Sequence, residues 1–379
     1  MARATGAEAT SVEQLDIVVD SDAHVMEGID DIEPYIDDRY GAVRKIVDAA
    51  KRPLADIYSV THAMPPFPFA ENMHGKEGEE DSKIGGEYAP DEKLSEMREF
   101  GIDYGVLDPT LNLGLPTVEN PQMAVALANA YNSWILDEYT DDAEEFTATI
   151  LAATQRPAEA AEEIDRRADE DDFVGVQIPS TGVLPPLGDP VYDPIYEAAE
   201  DNDLPVVMHG GNLATSHAFP TQRRWNETYT ENHVITHPFG HMWHATTMLV
   251  RGVPERFPDL DFVFQESGVA WVPYLVWRLD DHYLELPHEF HIDDLPSRYV
   301  EDQFYFTTQP LGHTAENPTH LARAIEMAGA DSIMYASDLP HTDFDPPEEL
   351  FGRVSREFDG AAVRGMMGET AVDVFDLPV

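Results

Sequence analysis

Residues 17–28 read IVVDSDAHVMEG. A short β-branched run passes at once into two acids, a serine and a histidine, the pattern of a buried strand that ends in polar chemistry. An open, doubly wound α/β sheet would carry a glycine-rich phosphate loop after its first strand. DSDAHVMEG holds no G-x-G-x-x-G, so that alternative is disfavoured from the first strand onward.

The same pattern recurs along the chain. Apolar runs stand at 17–20 (IVVD), 104–107 (YGVL), 147–151 (TATIL), 173–178 (FVGVQI), 205–208 (PVVM), 261–265 (DFVFQ), 304–307 (FYFT) and 333–336 (IMYA). Runs without polar alternation suit strands buried on both faces of a parallel sheet. Helical periodicity falls between them, at 119–138, 158–168, 191–202, 240–256, 269–283, 318–328 and 347–358. In the first of these, Met123, Leu127, Ala130, Tyr131, Trp134 and Ile135 share a face. Eight strands alternating with helices predict a (β/α)8 TIM barrel in one domain, residues 16–379. Residues 1–15 lack an apolar signal core and read as a disordered tail. Residues 58–91, rich in Pro, Gly and Glu, form a long insertion after the first strand, either a surface loop or a lid over the mouth.

Composition sets further bounds. Over 379 residues, Asp and Glu number 73 against 23 Lys and Arg, for a formal charge of −50. Such a surface repels phosphate and excludes nucleic acid or an anionic membrane as a natural partner. Hydrophobic residues make up 42%, enough for a core, so the acidity is not that of a disordered chain. The carboxylates are spread evenly and the lysines are only five: Lys45, Lys51, Lys76, Lys83 and Lys93. That balance is expected of a salt-adapted protein. Without cysteine, disulfides, thiolate metal sites and thiol nucleophiles are excluded. No apolar run reaches a membrane span, and a cytoplasmic protein is expected.

Every strand run is followed by a polar cluster: DSDAH (20–24), DPT (108–110), TQRP (154–157), PST (179–181), HGG (209–211), QESG (265–268), TTQP (307–310) and SDLPH (337–341). In a barrel these clusters ring one mouth, where active sites are built. Asp22 and His24 are two apart on an extended segment and share a face. With His209 after the fifth strand and Asp338 after the eighth, they supply two imidazoles and two carboxylates. That set can hold one divalent ion and leave a position open. Taken singly, Asp22 and Asp338 could merely cap helices. Glu27 is an alternative to Asp22, though its spacing from His24 fits a helical turn better than a strand.

The stretches IVVDSDAHVME (17–27), LPVVMHGG (204–211), RGVPERFPDLDFVFQESGVAWVPYLVWRLDD (251–281) and YASDLPHTDFD (335–345) resemble the amidohydrolase superfamily. Within it they resemble the branch of aminocarboxymuconate-semialdehyde decarboxylase and related nonoxidative decarboxylases, hydrolases and hydratases. The resemblance implies a distorted barrel with one zinc or manganese ion, a small-molecule substrate and a homodimer. Two departures stand out. The usual His-x-His is Asp22-x-His24 here, a harder donor pair that moves the expectation toward manganese. The sixth strand carries Glu266 where decarboxylases of this group usually carry His, and Glu266 can act as general acid/base or pair with an arginine.

Further candidates for acid/base or substrate contacts are His341, three residues after Asp338, and His237 and His241, within a histidine-rich stretch that also holds His217, His233 and His244. Asp338 could take the proton from a water in hydrolysis. Glu266 or a nearby histidine could protonate carbon in decarboxylation, and a hydratase would use the same parts. A non-catalytic binding barrel remains the alternative. The apolar stretches 269–277 and 361–367 are candidates for the dimer face.

Overall fold

The computed structural model describes residues 9–50, 88–140, 143–211, 229–312, 317, 319–341 and 343–379, with only the backbone at 46, 48–50, 229 and 232. The insertion up to residue 87 and His217 lie outside the described residues.

Eight parallel strands pair in sequence order. They are β1 (Val19–His24), β2 (Tyr104–Asp108), β3 (Phe146–Leu151), β4 (Phe173–Pro179), β5 (Val206–His209), β6 (Phe262–Gln265), β7 (Phe304–Thr307) and β8 (Ile333–Met334). The seam between β8 and β1 is joined by three backbone bonds: Ser21 N–H to Tyr335 O (3.0 Å), Asp338 N–H to Asp22 O (3.1 Å) and His24 N–H to Leu339 O (2.9 Å). This sequential order is that of a (β/α)8 barrel, and the doubly wound alternative is ruled out.

Helices α1 (Gly41–Ala50), α2 (Pro90–Phe100), α3 (Pro121–Glu138), α4 (Pro157–Arg167), α5 (Asp193–Asp201), α6 (Tyr229–Val250), α7 (Trp271–Glu285), α8 (Pro296–Gln303), α9 (Thr319–Ala328) and α10 (Pro347–Val354) cover the sheet. Several begin with proline in the first turn, where its missing N–H costs nothing. The main departure is α6. Its sequence periodicity suggested a start at Gly240, but the helix runs from Tyr229 through Pro238 and breaks at Gly252, whose φ is +69°. Proline removes one intrahelical bond, to the carbonyl of the exposed Val234, where water can replace it.

Two other expectations are corrected. Residues 12–15, expected within a disordered tail, are ordered: Val12–Gln14 form a 3-10 turn, and Val12 and Leu15 are buried in the core. Of the stretch 361–367, Val363, Met366 and Met367 are buried against the barrel and are spent on covering it. The end of the chain turns under the barrel: Ala371, Phe375 and Leu377 pack with Val19, Val106, Val174, Val207, Val263 and Met334 as an apolar plug.

Candidate metal centre

The plug and the site are successive layers of one lumen. In a strand, residues two apart face the same way. Val106, Val207 and Val263 therefore place Asp108, His209 and Gln265 above them on the same inner face. On β1 the pairing register slips between Asp20 and Ala23. That bulge lets one short strand contribute Val19 to the plug and also deliver Asp22 and His24 to the mouth. All three of Asp22, His24 and His209 are fully buried.

His24 Nε2 lies 3.0 Å from His209 Nε2, 3.3 Å from Asp22 Oδ1 and 3.4 Å from Asp338 Oδ1. His209 Nε2 is 3.1 Å from Asp22 Oδ1. Donor atoms about 2.1 Å from one ion sit about 3.0 Å apart at octahedral corners and about 3.4 Å apart at tetrahedral ones. The spacing is therefore that of a coordination shell. The tautomers agree with it. His24 Nδ1 donates to Pro109 O at 3.0 Å and His209 Nδ1 donates to Gly210 O. In each neutral ring the lone pair is then on Nε2. Two such lone pairs facing at 3.0 Å repel unless a proton or a cation lies between them. Asp22 Oδ2 is moreover a buried oxygen without a hydrogen-bond partner. These residues fit a divalent ion.

Electrostatics show what a proton does in the ion's place. Burial alone would depress the His209 imidazole, but Asp22 beside it pushes it up to about 10. Asp22 is held low in return: burial would raise it, and His209 outweighs that. Asp338 is pushed well up, by burial first and then by the charges of Glu266 and Asp22. Without an ion, the imidazole of His209 is the counter-charge beside Asp22.

A second group adjoins the first. Glu266 Oε2 is 3.3 Å from His237 Nε2 and 3.6 Å from His209 Nε2. Burial would raise the Glu266 carboxyl, but His237, His209 and His233 outweigh it and hold it well below the usual range. Glu266 has φ +51° and Asp338 φ +62°, a left-handed conformation that carbon-branched side chains rarely adopt. Such strain gathers at functional positions. Gly210 makes room for the group, since a Cβ there would stand 2.3 Å from His237 Cδ2.

His341 joins the rim from the other side. It pairs through Nδ1 with Asp338 Oδ1 (2.5 Å) and through Nε2 with Thr110 Oγ1 (3.0 Å). Burial lowers its imidazole to about 4. The structure thus brings together Asp22, His24, His209, Asp338 and His341, with Glu266 and His237 alongside.

His241, four residues after His237 on α6, stands within electrostatic reach of His237, His209 and Glu266 but is in none of the close donor groups found among the described residues. It is fully buried, bonds Ser267 Oγ through Nδ1 at 2.9 Å and packs on Phe264 and Trp271. His244 is a structural tie: Leu187 N–H donates to its Nδ1, and its Nε2 donates to Ser180 O. Glu27 turns away from the shell and accepts from Thr110 N, Asn112 N and Asn112 Nδ2 at 3.0, 2.8 and 3.0 Å. It therefore fixes the loop after β2, and burial raises its carboxyl to about 7.

Three supporting residues escaped the sequence analysis. Asp20 accepts from Ser337 N (2.8 Å) and Asp22 N (3.2 Å). Asp108 accepts from Thr149 Oγ1 (2.7 Å) and Gln265 Nε2 (2.6 Å). Lys93 is fully buried and donates to His24 O and Leu339 O at 2.9 and 3.0 Å. An acid closing an apolar run, as in VVD and VLD, was the available signal for the first two. Lys93 gave none, lying just past a segment without periodicity.

A parallel (β/α)8 barrel with two imidazoles and two carboxylates converging at the C-terminal ends of its strands belongs to the class of metal-dependent barrel enzymes. Comparison with known proteins narrows this. The amidohydrolase family model matches residues 19–377, and the chain belongs to that family. A gamma-resorcylate decarboxylase of Rhizobium sp. is 25% identical over 283 residues, 70% of this chain and 81% of that protein. The 5-carboxyvanillate decarboxylase of Sphingomonas paucimobilis superposes with a TM-score of 0.69 at 19% identity, covering 95% of this chain and 99% of the other. A 5-carboxyvanillate decarboxylase of Novosphingobium aromaticivorans, solved with manganese and 4-hydroxy-3-methoxy-5-nitrobenzoic acid, superposes at 0.68 with 19% identity, covering 95% and 96%.

Proposed function

We propose that this chain is a nonoxidative decarboxylase of hydroxylated aromatic acids, working with one manganese ion per chain held by Asp22, His24, His209 and Asp338. The observation that carries this is the buried His237–Glu266 pair beside the His209 imidazole. It is a proton-holding group set next to a shell of donors. The ion would supply Lewis-acid polarisation and a template for the substrate's carboxylate and neighbouring oxygen. His237 and Glu266 hold a proton between Nε2 and Oε2 and give it to the ring carbon. The electron pair of the breaking C–C bond is taken up by that proton as CO2 leaves. His341 and Thr110 fix the Asp338 carboxylate from behind. Two carboxylates in the donor set, and the manganese in the Novosphingobium structure, support manganese over zinc. We also expect a homodimer, for which Tyr274, Trp277 and Leu284 on α7, at 58%, 60% and 73% exposure, are the candidate contacts.

The test is turnover of 2-hydroxybenzoic acids with a second hydroxyl or methoxyl group, in D2O and molar KCl, with manganese. CO2 release with one deuterium at the vacated carbon is expected. Hydrolysis of lactones or amides without CO2 release from any acid would replace this proposal with the hydrolytic one.

A further inference from the structure

Outside the shell formed by Asp22, His24, His209 and Asp338, a second set of donors converges. His233 and His237 stand four apart on α6, so their side chains leave the same face of the helix. Their rings lie 5.0 Å apart between centroids. Histidines at this spacing on a helix are a recurrent way to hold zinc. Both imidazoles turn toward Glu266, which enters from the end of β6: His237 Nε2 is 3.3 Å from Oε2 and His233 Nε2 is 3.9 Å from Oε1. A fourth donor arrives from the segment after β8, with Asp343 Oδ2 at 3.6 Å from His233 Nε2. The group repeats the two-imidazole, two-carboxylate composition of the inner shell.

We propose that His233, His237, Glu266 and Asp343 form a second divalent-cation site, and that an ion held there withdraws the His237–Glu266 pair from proton transfer. Three separate elements supply the ligands, and two of the side chains are locked in place. Glu266 sits on a left-handed backbone, and His237 is wedged against Gly210. The spacing, 3.3 to 3.9 Å, is wider than the 3.0 to 3.4 Å of the inner shell. Asp343 is also more than one-third exposed. The outer ion is therefore the weaker one and the last to load. A given set of imidazole and carboxylate donors holds zinc more tightly than manganese, so zinc is the probe that reaches the weaker position. The inhibitory consequence, though not the binding, rests on the proton role proposed above for His237 and Glu266.

The experiment counts zinc. Metal-free protein in molar KCl is equilibrated with zinc chloride, and bound zinc is measured by elemental analysis and by anomalous scattering from crystals. Two equivalents are expected for the wild type, and one for His233→Ala and for Asp343→Asn. Loss of one ligand should weaken the outer site at least about tenfold. His209→Ala should lose the inner equivalent and keep the outer, so failure of the inner site is distinguished from failure of the outer. Raising zinc from one equivalent to excess should lower wild-type turnover about tenfold and leave both outer-site variants within about twofold of their starting rate. Two equivalents retained by both variants, or a wild type that never exceeds one, would overturn the proposal.

Discussion

Gly210→Ala is the most discriminating single substitution. The added Cβ would lie 2.3 Å from His237 Cδ2, 2.9 Å from Cγ and 3.0 Å from Cβ. Carbon atoms settle about 3.5–4.0 Å apart. The His237 ring must therefore retreat by about 1 Å, carrying Nε2 away from Glu266, which it now faces at 3.3 Å. Residue 210 is not among the glycines with positive φ, so alanine meets no backbone penalty of its own. Misplacing a catalytic group by about 1 Å costs about 100-fold in rate. Overpacking should cost about 1–3 kcal/mol of stability, too little to unfold the barrel. Outside its chain neighbours, the three atoms nearest the new methyl all belong to His237, so metal content is expected to stay at the wild-type value. The assay pairs kcat with manganese content by elemental analysis, after circular dichroism confirms folding. A folded variant with kcat within about threefold of wild type would refute the role given to His237.

The same geometry sets further outcomes. His209→Ala should lose manganese and activity together, whereas Glu266→Gln should keep manganese and lose turnover by about 100-fold or more, as read by metal analysis beside CO2 release. Manganese affinity should rise with pH. The His209 imidazole, held up at about 10 by Asp22 in the ion-free site, must shed its proton to ligate. Below that value this group alone makes affinity fall about tenfold per pH unit, measurable as proton release in calorimetry with buffers of different ionisation enthalpy. A charge of −50 should make the unfolding midpoint climb steeply between dilute buffer and molar KCl, where the Debye length shrinks to about 3 Å; a midpoint indifferent to salt would remove the salt-adapted interpretation.

The barrel was legible because its eight strands are buried on both faces and so read as uninterrupted apolar runs. Each observed strand overlaps its expected run, and β5 to β8 lie within two residues of it. The convergence of Asp22, His24 and His209 was legible for a related reason: strand ends are short, and period-two alternation fixes which residues look inward. Residues carried on helices or set beyond long loops were harder to place. The helical periodicity read from 240 onward, whereas α6 begins at Tyr229 and carries His233 and His237 in its first turns. The sequence also could not separate buried carboxylates that serve the fold from those that serve the site. Asp20, Glu27 and Asp108 are as buried as Asp22, yet serine, threonine, asparagine and glutamine donors bond them. Asp22, Asp338 and Glu266 instead face imidazoles. That difference lies in three-dimensional partners alone.

The seam where the barrel closes explains why the donors converge at all. Asp22 and His24 come from β1, and Asp338 from the turn after β8, the first and last strands of the sheet. Their relative position depends on how the ends of the sheet are joined. Backbone bonds alone join them at three points. Two side-chain devices add to this. Asp20 on β1 accepts from both the backbone and the hydroxyl of Ser337, next to Asp338. Lys93 on α2 spans the seam, bonding His24 O on one side and Leu339 O on the other. Burying an ammonium is costly, and burial draws Lys93 down to about 8, against the pull of Asp20 and neighbouring carboxylates. A chain with five lysines places one of them, fully buried, at the joint between β1 and β8. An apolar side chain could fill the same volume but could not satisfy two carbonyls, and each left unpaired in a buried seam would cost about 1–3 kcal/mol. The carbonyl groups held this way belong to His24 and to the residue after Asp338. The same contacts that close the barrel therefore set the distance between opposite sides of the donor shell.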